Sequence, residues 1–347
     1  MSTPTTKNRQ ILLASRPSGE PSEENFKLVE VEIPRPDRGQ MLVRTIYLSL
    51  DPYMRGRMDA SPSYAPPVQV GEVMEGQSVC EVIESNAPEF GPGDIVVAGG
   101  GWQDYSLAGS EGVRKIDRSQ GPISYALGVL GMPGLTAYTG LLNIGKPRPG
   151  ETLVVAAAAG AVGSVVGQLG KIKGCRVVGI AGGQQKCSFV KDELGLDLCL
   201  DHRQPKLGEQ LKAACPNGID IYFENVGGPV LEAVLPLLNK FARIPVCGLI
   251  AHYNDQELPP GPDRVPLLMR TILVKRLTVG GFIVRDYASQ FPDYIRDMTG
   301  WLREGRARYR EDITDGLENA PRELIRLLKG GNFGKKLIRV NPEPASG

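Results

Sequence analysis

Short apolar runs alternate with helical stretches through the middle of the chain. The runs are Thr152–Ala156, Arg176–Ile180, Asp197–Leu200, Asp220–Glu224 and Arg243–Cys247. They lack the alternation of half-exposed strands, which is typical of parallel strands covered on both faces. The helical stretches between them are Val162–Lys173, Gln184–Leu194, Lys206–Ala214 and Pro229–Leu238. This order predicts βαβ units and a doubly wound parallel sheet, an α/β fold.

The first 130 residues follow a different pattern. Short runs at Gln40–Leu48, Gln77–Ser85 and Asp94–Ala98 are separated by Gly, Pro and Asn or Asp, and helical periodicity is weak. Near the end of the chain, a helix over Asn319–Leu328 precedes a strand over Lys336–Val340, which we expect to join the first domain. We therefore predict a β-rich domain over 1–130, completed by 306–347, and an α/β domain over 131–305.

Composition and charge narrow the function classes. Hydrophobic residues make up 41% of the 347 residues, so a disordered chain is not expected. The net charge is only +1, so we expect no overall electrostatic attraction to nucleic acid or to an anionic membrane surface. The uncharged stretch 152–170 is rich in Ala and Gly, which favours a strand-turn-helix over a membrane span. Six scattered cysteines and an opening segment without a secretory signal indicate free thiols in the cytoplasm.

A glycine-containing turn follows the first apolar run and opens the first helix. Its sequence, Ala158-Ala159-Gly160-Ala161-Val162-Gly163, is a dinucleotide fingerprint with Ala in place of the first glycine. Gly160 lets the backbone approach a pyrophosphate, and Gly163 lets helix and strand pack closely. The helix N-terminus then favours the phosphate charge. The turn predicts a nicotinamide dinucleotide site.

The residues after the second apolar run indicate which nucleotide binds. An NAD site usually places Asp or Glu there, to hold the ribose 2′-hydroxyl. This chain instead reads Val178-Gly179-Ile180-Ala181-Gly182-Gly183, with Lys186 in the next turn and Asp201-His202-Arg203 after the third run. A missing carboxylate beside a cation suits a 2′-phosphate, so the sequence favours NADP. Asn225, after the fourth run, either bonds the cofactor or caps the next helix.

No metal site or nucleophilic triad is expected. The chain has only two histidines, His202 and His252, and Cys80 is the one cysteine of the first domain. The remaining hydrogen-bond donors for a reacting carbonyl are Tyr253, Tyr53 and Tyr64, of which Tyr253 follows a cofactor-side strand.

Several segments together resemble a known family. They are Tyr47–Arg55, Gly131–Tyr138, Ala157–Gly163, Glu224–Gly228, Gly281–Ile283 and Asn332–Lys335. In this combination the chain is similar to zinc-free medium-chain dehydrogenase/reductases, and among them to the NADPH-dependent alkenal/one double-bond reductases, which include prostaglandin reductases and bacterial curcumin reductases.

The resemblance implies a GroES-like domain, a Rossmann domain and a homodimer. It assigns the pyrophosphate to Gly160–Gly163 and the 2′-phosphate to Lys186. Relatives commonly carry Tyr where this chain has His202, and an imidazole there can bond the 2′-phosphate with a charge that depends on pH. The cofactor-lining residues implied by the matching motifs are Pro133, Thr136, Ala159, Ala161, Val162, Gly182, His202, Asn225, Cys247, Gly248, Tyr253, Phe282, Ile283 and Asn332.

The expected activity is NADPH-dependent reduction of the C=C bond of a small α,β-unsaturated ketone or aldehyde. Tyr253, then Tyr53, is the expected hydrogen-bond or proton donor, and Tyr64 is expected to pack against the substrate. Three alternatives stay open: a quinone reductase on the same scaffold, a non-catalytic NADPH-binding protein, and a thiol sensor that uses Cys247.

Overall fold

The computed structural model describes residues 7–257 and 261–344. Its strands are Lys7–Leu13 (β1), Phe26–Glu32 (β2), Gln40–Ser49 (β3), Ser78–Ser85 (β4), Ile95–Ala98 (β5), Tyr105–Gly109 (β6), Arg114–Lys115 (β7), Thr152–Ala156 (β8), Arg176–Ala181 (β9), Leu198–Asp201 (β10), Ile219–Phe223 (β11), Leu238–Val246 (β12), Thr278–Gly281 (β13), Glu311–Asp315 (β14) and Lys335–Arg339 (β15).

The α-helices are Met54–Arg57 (α1), Met132–Thr139 (α2), Gly163–Ile172 (α3), Gln184–Ser188 (α4), Leu207–Ala214 (α5), Gly228–Val234 (α6), Val265–Lys275 (α7), Phe291–Arg303 (α8) and Ala320–Leu328 (α9). Two π-helical segments, Gly140–Gly145 and Phe189–Glu193, extend α2 and α4. The 3₁₀ turns are Glu23–Asn25, Arg118–Gln120, Ile123–Leu127, Leu235–Leu237, Ile250–His252, Val284–Gln290 and Leu317–Asn319.

The chain divides into two compact units. The first comprises residues up to Leu127, Glu311–Asn332 and the chain from Lys336; the second comprises Gly128–Arg310 and Phe333–Lys335. Within the described residues, no helix is both long enough and apolar enough to cross a membrane.

The first unit is built on a seven-stranded sheet in the order β14-β15-β3-β4-β5-β7, with β6 also paired to β3. Strand β15 pairs antiparallel with β3, placing Leu337 opposite Ser49. Trp102 stacks on Phe26 in a hydrophobic core that also contains Leu324 of α9. The end of the chain therefore contributes both a strand and a helix to this unit.

The second unit contains a six-stranded sheet in the order β10-β9-β8-β11-β12-β13. The strands whose register the structure gives are all parallel. This is the doubly wound order of dinucleotide-binding domains. The order in which strands are added to the sheet reverses between β8 and β11, and ligands bind beyond the carboxyl ends of the strands. The predicted α/β fold class, with one β-rich unit and one unit built on a parallel sheet, is confirmed.

One departure from the sequence prediction lies between α6 and β12. The helix predicted over Pro229–Leu238 ends at Val234, and a 3₁₀ turn containing Pro236 follows, because proline has no N–H to continue the helix. Strand β12 begins at Leu238, five residues earlier than predicted. Its register against β11 shifts between Ile219 and Ile221, and Phe241 lies in this irregular part with a φ of 66°.

A buried ion cluster joins the last elements of the first unit. Lys336 is 1% exposed, and its Nζ lies 2.9 Å from Asp312 Oδ1, 2.8 Å from Glu323 Oε2 and 2.6 Å from Thr314 Oγ1. Burial alone would raise the pKa of Glu323, but Lys336 and Arg326 hold it below its usual value. The cluster ties β14, α9 and β15 together.

We expect Lys336→Met to lower the free energy of unfolding by about 3 kcal/mol, because it removes the buried cation and leaves Glu323 and Asp312 with only the more exposed guanidinium of Arg326. The matched control is Lys329→Met, which removes an exposed pair with Glu20 and should cost below about 1 kcal/mol. Urea unfolding of both variants measures the difference. Equal losses would contradict the structural role of the cluster.

Candidate active site

The turn between β8 and α3 leaves almost no room for side chains. A Cβ on Gly163 would lie 2.2 Å from the carbonyl oxygen of Ala157, and one on Gly160 would lie 3.2 Å from the same atom. Ala157 itself has a φ of 52°, an unfavourable left-handed conformation for a residue with a Cβ. Ala158, which replaces the usual first glycine, is not among the positive-φ residues, so alanine is tolerated there.

The other residues of this turn provide backbone rather than polar side chains. Ala159 is buried, whereas Ala161 and Val162 are half-buried. Gly160 forms an isolated parallel bridge with Gly334, and next to Gly334 the Phe333 ring packs edge-on against Phe189 at 5.0 Å between centroids. The turn therefore offers backbone to a ligand and is supported by the Phe333–Lys335 segment.

The imidazole of His202 and the guanidinium of Arg203 lie over the glycines that follow β9. A Cβ on Gly182 would lie 2.9 Å from His202 Nε2 and 3.1 Å from Arg203 Nε, and one on Gly183 would lie 3.2 Å from Arg203 Nη1. The carboxylate of Asp201 turns toward the backbone, where its Oδ1 accepts the N–H groups of Gly183 at 2.8 Å and Arg203 at 3.0 Å. The carboxyl end of β9 is thus faced by donors.

The charges around His202 favour its neutral form. Partial burial lowers the pKa of His202 below its usual value, the positive charges of Arg203 and Lys186 lower it further, and Asp201 opposes the shift. Lys186 lies half-buried in α4, close enough to act on the imidazole. Sequence reasoning noted the Asp201-His202-Arg203 run but did not select Arg203 as a site residue; its place after a strand end was the available signal.

Asn225 connects two strand ends. Its side-chain amide donates to the carbonyl oxygen of Ala156 at 2.8 Å, which links the end of β11 to the end of β8. The alternative in which Asn225 caps the next helix is wrong, because the N-cap of α6 is Gly227.

Glu224, which sequence reasoning passed over, is a buried carboxyl group beside Asn225. Its Oε1 accepts hydrogen bonds from the Tyr222 hydroxyl at 3.0 Å and from the N–H groups of Val226 at 2.6 Å and Gly227 at 2.9 Å. Its Oε2 has no hydrogen-bond partner among the described residues. Burial raises the pKa of Glu224, although these hydrogen bonds oppose the shift.

The thiol of Cys247 is unsuited to redox chemistry. Burial raises its pKa to about 12, and the neighbouring Glu224 carboxylate adds to the shift. Because the thiolate is the reactive form, a thiol with such a pKa reacts slowly with oxidants near neutral pH. The raised pKa argues against the alternative of a sensor based on Cys247.

Tyr253 caps the C-terminal end of the 3₁₀ turn Ile250–His252, which follows β12. Its hydroxyl accepts the N–H of Leu249 at 3.4 Å, and a Cβ on Gly248 would lie only 2.9 Å from the hydroxyl oxygen. The glycine at position 248 therefore allows the phenol to lie against the backbone at the carboxyl end of the strand.

The other two candidate tyrosines belong to the first unit. The guanidinium of Arg57 lies 4.4 Å from the ring centroid of Tyr64 and 5.6 Å from that of Tyr53. Burial is the main cause that raises the pKa of Tyr53, so its hydroxyl stays protonated. Tyr64 is 56% exposed and lies in the Pro-rich segment 61–70. Arg57 thus brings the two rings of this unit together by cation–π contacts.

The remaining predicted cofactor residues have the following places. Pro133 lies in the first turn of α2, and the Thr136 hydroxyl in the same helix donates to the Met132 carbonyl at 2.8 Å. Phe282 and Ile283 follow β13, and a Cβ on Gly140 would lie 2.4 Å from the Phe282 ring. Asn332 belongs to the first unit.

The described residues contain no group of three or more His, Cys, Asp or Glu side chains that could hold a metal ion. The two histidines lie apart from any such group: the His202 ring lies over Gly182, and His252 Nδ1 lies 2.8 Å from Asp255 Oδ2.

Comparison with known sequence families gives two matches. Residues 9–116 match a family described as the N-terminal domain of oxidoreductase, and residues 161–300 match one described as zinc-binding dehydrogenase. The second family is named for zinc binding, whereas residues 7–257 and 261–344 contain no group of three or more side chains that could ligate zinc.

Three curated relatives match nearly the whole chain. An NADPH-dependent curcumin reductase of Escherichia coli is 59% identical over 336 residues, covering 96% of this chain and 97% of the relative. Prostaglandin reductase 1 of Bos taurus is 41% identical over 328 residues, covering 93% and 96%. A 2-alkenal reductase (NADP(+)-dependent) of Nicotiana tabacum is 39% identical over 342 residues, covering 97% and 98%.

A solved structure matches the fold over the same length. CurA from Vibrio vulnificus in complex with NADPH superimposes with a TM-score of 0.94 at 56% identity, covering 96% of this chain and 100% of that one.

Proposed function

The chain belongs to the NADPH-dependent alkenal/one double-bond reductase family of the medium-chain dehydrogenase/reductases, and from this premise we propose that it reduces the C=C bond of α,β-unsaturated ketones and aldehydes with NADPH. The observation that carries the proposal is the 59% identity, over 96% of the chain, to an NADPH-dependent curcumin reductase. Reductases with 39% and 41% identity, named for alkenals and prostaglandins, support the same substrate class.

The residues of the second unit fit NADPH. The glycine turn supports a pyrophosphate, because Gly160 offers backbone without a Cβ and Gly163 lets α3 begin close against the backbone of Ala157. His202 and Arg203 beside Gly182, with Lys186 nearby, support a 2′-phosphate, since cations and an imidazole donor recognise that dianion. Arg203 extends the predicted phosphate-binding set.

The proposed chemistry needs a hydride and an oxyanion donor. NADPH, when bound, supplies the hydride that adds to the β-carbon of the substrate. Tyr253 donates a hydrogen bond to the carbonyl oxygen as it gains enolate charge, because a phenol remains protonated near neutral pH. The α-carbon takes its proton from a tyrosine or from solvent. Cys247 stays a neutral thiol and lines the site without reacting.

The remaining site assignments are proposals that rest on the family motifs. In the second unit we assign Pro133, Thr136, Asn225, Gly248, Phe282 and Ile283 to the cofactor, and we assign Asn332 to it from the motif in the first unit. Tyr53 is the second proposed donor, and Tyr64 the proposed substrate contact. The Arg57 cation–π contacts support a common role for these two rings.

We also propose that the protein is a homodimer formed through the β13 edge of the parallel sheet. β13 is the last strand in the sheet order, and Val279 in it is exposed. Helix α7, next to β12, exposes Leu267, Met269 and Leu273, the last at 75%. An apolar helix beside an open strand edge suits a second copy of the same surface. The surface comprises α7 and β13, and we call it the edge face.

The cytoplasm is the proposed location. Its support is that all six cysteines are free in the structure, as expected for a chain kept in a reducing compartment.

We expect light scattering to give a mass of about twice the 37.5 kDa chain. Leu273→Asp should shift the protein toward monomer, because a carboxylate would be buried in the edge face. The matched control is Leu28→Asp, which places the same charge on an exposed strand of the first unit. A monomeric wild-type protein would contradict the dimer.

We expect Arg203→Gln to weaken NADPH binding by about 10-fold and to leave NADH binding unchanged, because the lost charge-assisted contact serves only the 2′-phosphate. Lys206→Gln is the control, since Lys206 lies in the same loop but pairs with Glu209. Calorimetric titration gives both affinities. Parallel losses for the two nucleotides would remove Arg203 from the phosphate site.

The activity is tested by following NADPH oxidation with enals, enones, diarylheptanoids and quinones, and by identifying the products. The proposal predicts saturated ketones and aldehydes. Hydroquinone as the main product would indicate a quinone reductase, and tight NADPH binding without oxidation would indicate a non-catalytic protein. Tyr253→Phe should lower kcat by about 10²-fold without weakening NADPH binding.

A further inference from the structure

The turn that carries Tyr253 is attached to the turn that follows β11. The N–H of Ile250 donates to the carbonyl oxygen of Asn225 at 3.3 Å, and the N–H of Ala251 donates to the carbonyl oxygen of Val226 at 2.9 Å. Both turns lie at the carboxyl ends of neighbouring parallel strands, β11 and β12. Any contact that fixes one turn on the other therefore also affects the place of Tyr253.

His252 makes such a contact with its side chain. Its Nε2 accepts the N–H of Gly228 at 3.1 Å, and its Nδ1 lies 2.8 Å from Asp255 Oδ2. A carboxylate only accepts hydrogen bonds, so the hydrogen is assigned to Nδ1, which leaves the Nε2 lone pair for Gly228. Asp255 thus selects the tautomer that the contact needs.

The backbone at the start of α6 is shaped to receive this ring. Gly227 and Gly228 have φ values of 78° and 51°. A Cβ on Gly227 would lie 2.9 Å from His252 Cδ2, so the imidazole occupies the space that a side chain would need. Since Glu224 Oε1 accepts the N–H groups of Val226 and Gly227, His252 completes a set of three successive donors that are satisfied by the protein itself.

The same geometry argues against a role for His252 in proton transfer. One ring nitrogen bonds a backbone N–H and the other faces a carboxylate, so both are engaged within the protein. The next residue in the chain is Tyr253, whose N–H donates to Ile250 at 3.4 Å and whose hydroxyl lies against Gly248.

We propose that His252 is a positioning residue that fixes the Tyr253 turn to the first turn of α6 and thereby sets the place of the Tyr253 hydroxyl. Its effect on catalysis rests on the proposed function, in which Tyr253 bonds the substrate carbonyl. Its structural effect does not, because the Gly228 contact exists without substrate or cofactor.

The structural part is tested on the protein without nucleotide, by hydrogen–deuterium exchange of the amides at 226–228. His252→Phe keeps the ring but removes the acceptor, and we expect exchange at Gly228 to rise by about 10-fold or more. His252→Gln carries a side-chain oxygen that can accept the same N–H, so it should exchange within about threefold of wild type. Unchanged exchange in His252→Phe would overturn the proposal.

The role of Asp255 has a matched control. Asp255→Leu removes the carboxylate that selects the tautomer and should raise exchange at Gly228. Glu257→Leu removes an exposed carboxylate from the same segment and should leave exchange unchanged. Equal effects of the two variants would contradict the tautomer assignment.

The catalytic part is tested by a double-mutant cycle with an enone. His252→Phe should lower kcat by about 10-fold, with the Kd for NADPH changed by less than about twofold, and His252→Gln should restore most of kcat. Because the imidazole acts through Tyr253, adding His252→Phe to Tyr253→Phe should cost less than about twofold further. Full additivity of the two losses would overturn the proposal.

The cycle also separates this proposal from the proposed function. If Tyr253→Phe keeps its turnover, the role of Tyr253 in the proposed function fails, and the positioning role in catalysis fails with it. If Tyr253→Phe loses turnover but His252→Phe keeps it, only the positioning role is overturned. In either case, the exchange measurement tests whether the His252 imidazole holds the Gly228 N–H.

Discussion

The close approach of α3 to the end of β8 is the constraint on which the rest of the second unit depends. The backbone of Ala157 leaves no space for a Cβ at position 163, and Ala157 itself adopts a left-handed conformation to make the turn. Such a conformation costs about 1–2 kcal/mol in a residue other than glycine, so the surrounding sheet must compensate it. The turn directs the start of α3 to the carboxyl ends of the central strands.

The polar groups at these strand ends fall into two sets. On the β11 and β12 side, Glu224, Asn225 and His252 bond backbone groups of the protein and hold the turns in place. On the β9 and β10 side, His202 and Arg203 lie over glycines, where a phosphate recognises donors and positive charge. The first set preserves geometry, and the second provides recognition. In both sets a glycine leaves room for a side chain that follows the neighbouring strand. Gly182 leaves room for His202 and Arg203, and Gly227 leaves room for His252.

The sequence predicted the features that depend on local pattern. The continuous apolar runs identified β8 to β12, and the spacing of Gly160 and Gly163 located the turn before α3. The missed elements include α7, α8 and β13, although α8 has a strong amphipathic pattern. The irregular part of β12 around Phe241 was missed because it depends on pairing with β11.

The site was less accessible to sequence reasoning, because its contacts join strands that are far apart in the chain. The Asn225 amide reaches Ala156, and the His252 imidazole reaches Gly228, and neither spacing has a local signature. The role of Arg203 could not be predicted without knowing that β10 pairs with β9, because this pairing brings the residues that follow β10 over Gly182. Glu224 was present in a recognised motif, but only its hydrogen bonds from the N–H groups of Val226 and Gly227 show that its carboxyl group supports the turn.

The most direct test of 2′-phosphate recognition at the carboxyl ends of β9 and β10 uses the unmodified protein. Titration with NADPH, NADH and adenosine 2′,5′-bisphosphate isolates the 2′-phosphate, since the third ligand carries it without a nicotinamide. The account predicts that NADPH binds at least about 10-fold tighter than NADH and that the bisphosphate competes with NADPH. Equal affinity for the two nucleotides, or no competition by the bisphosphate, would contradict it.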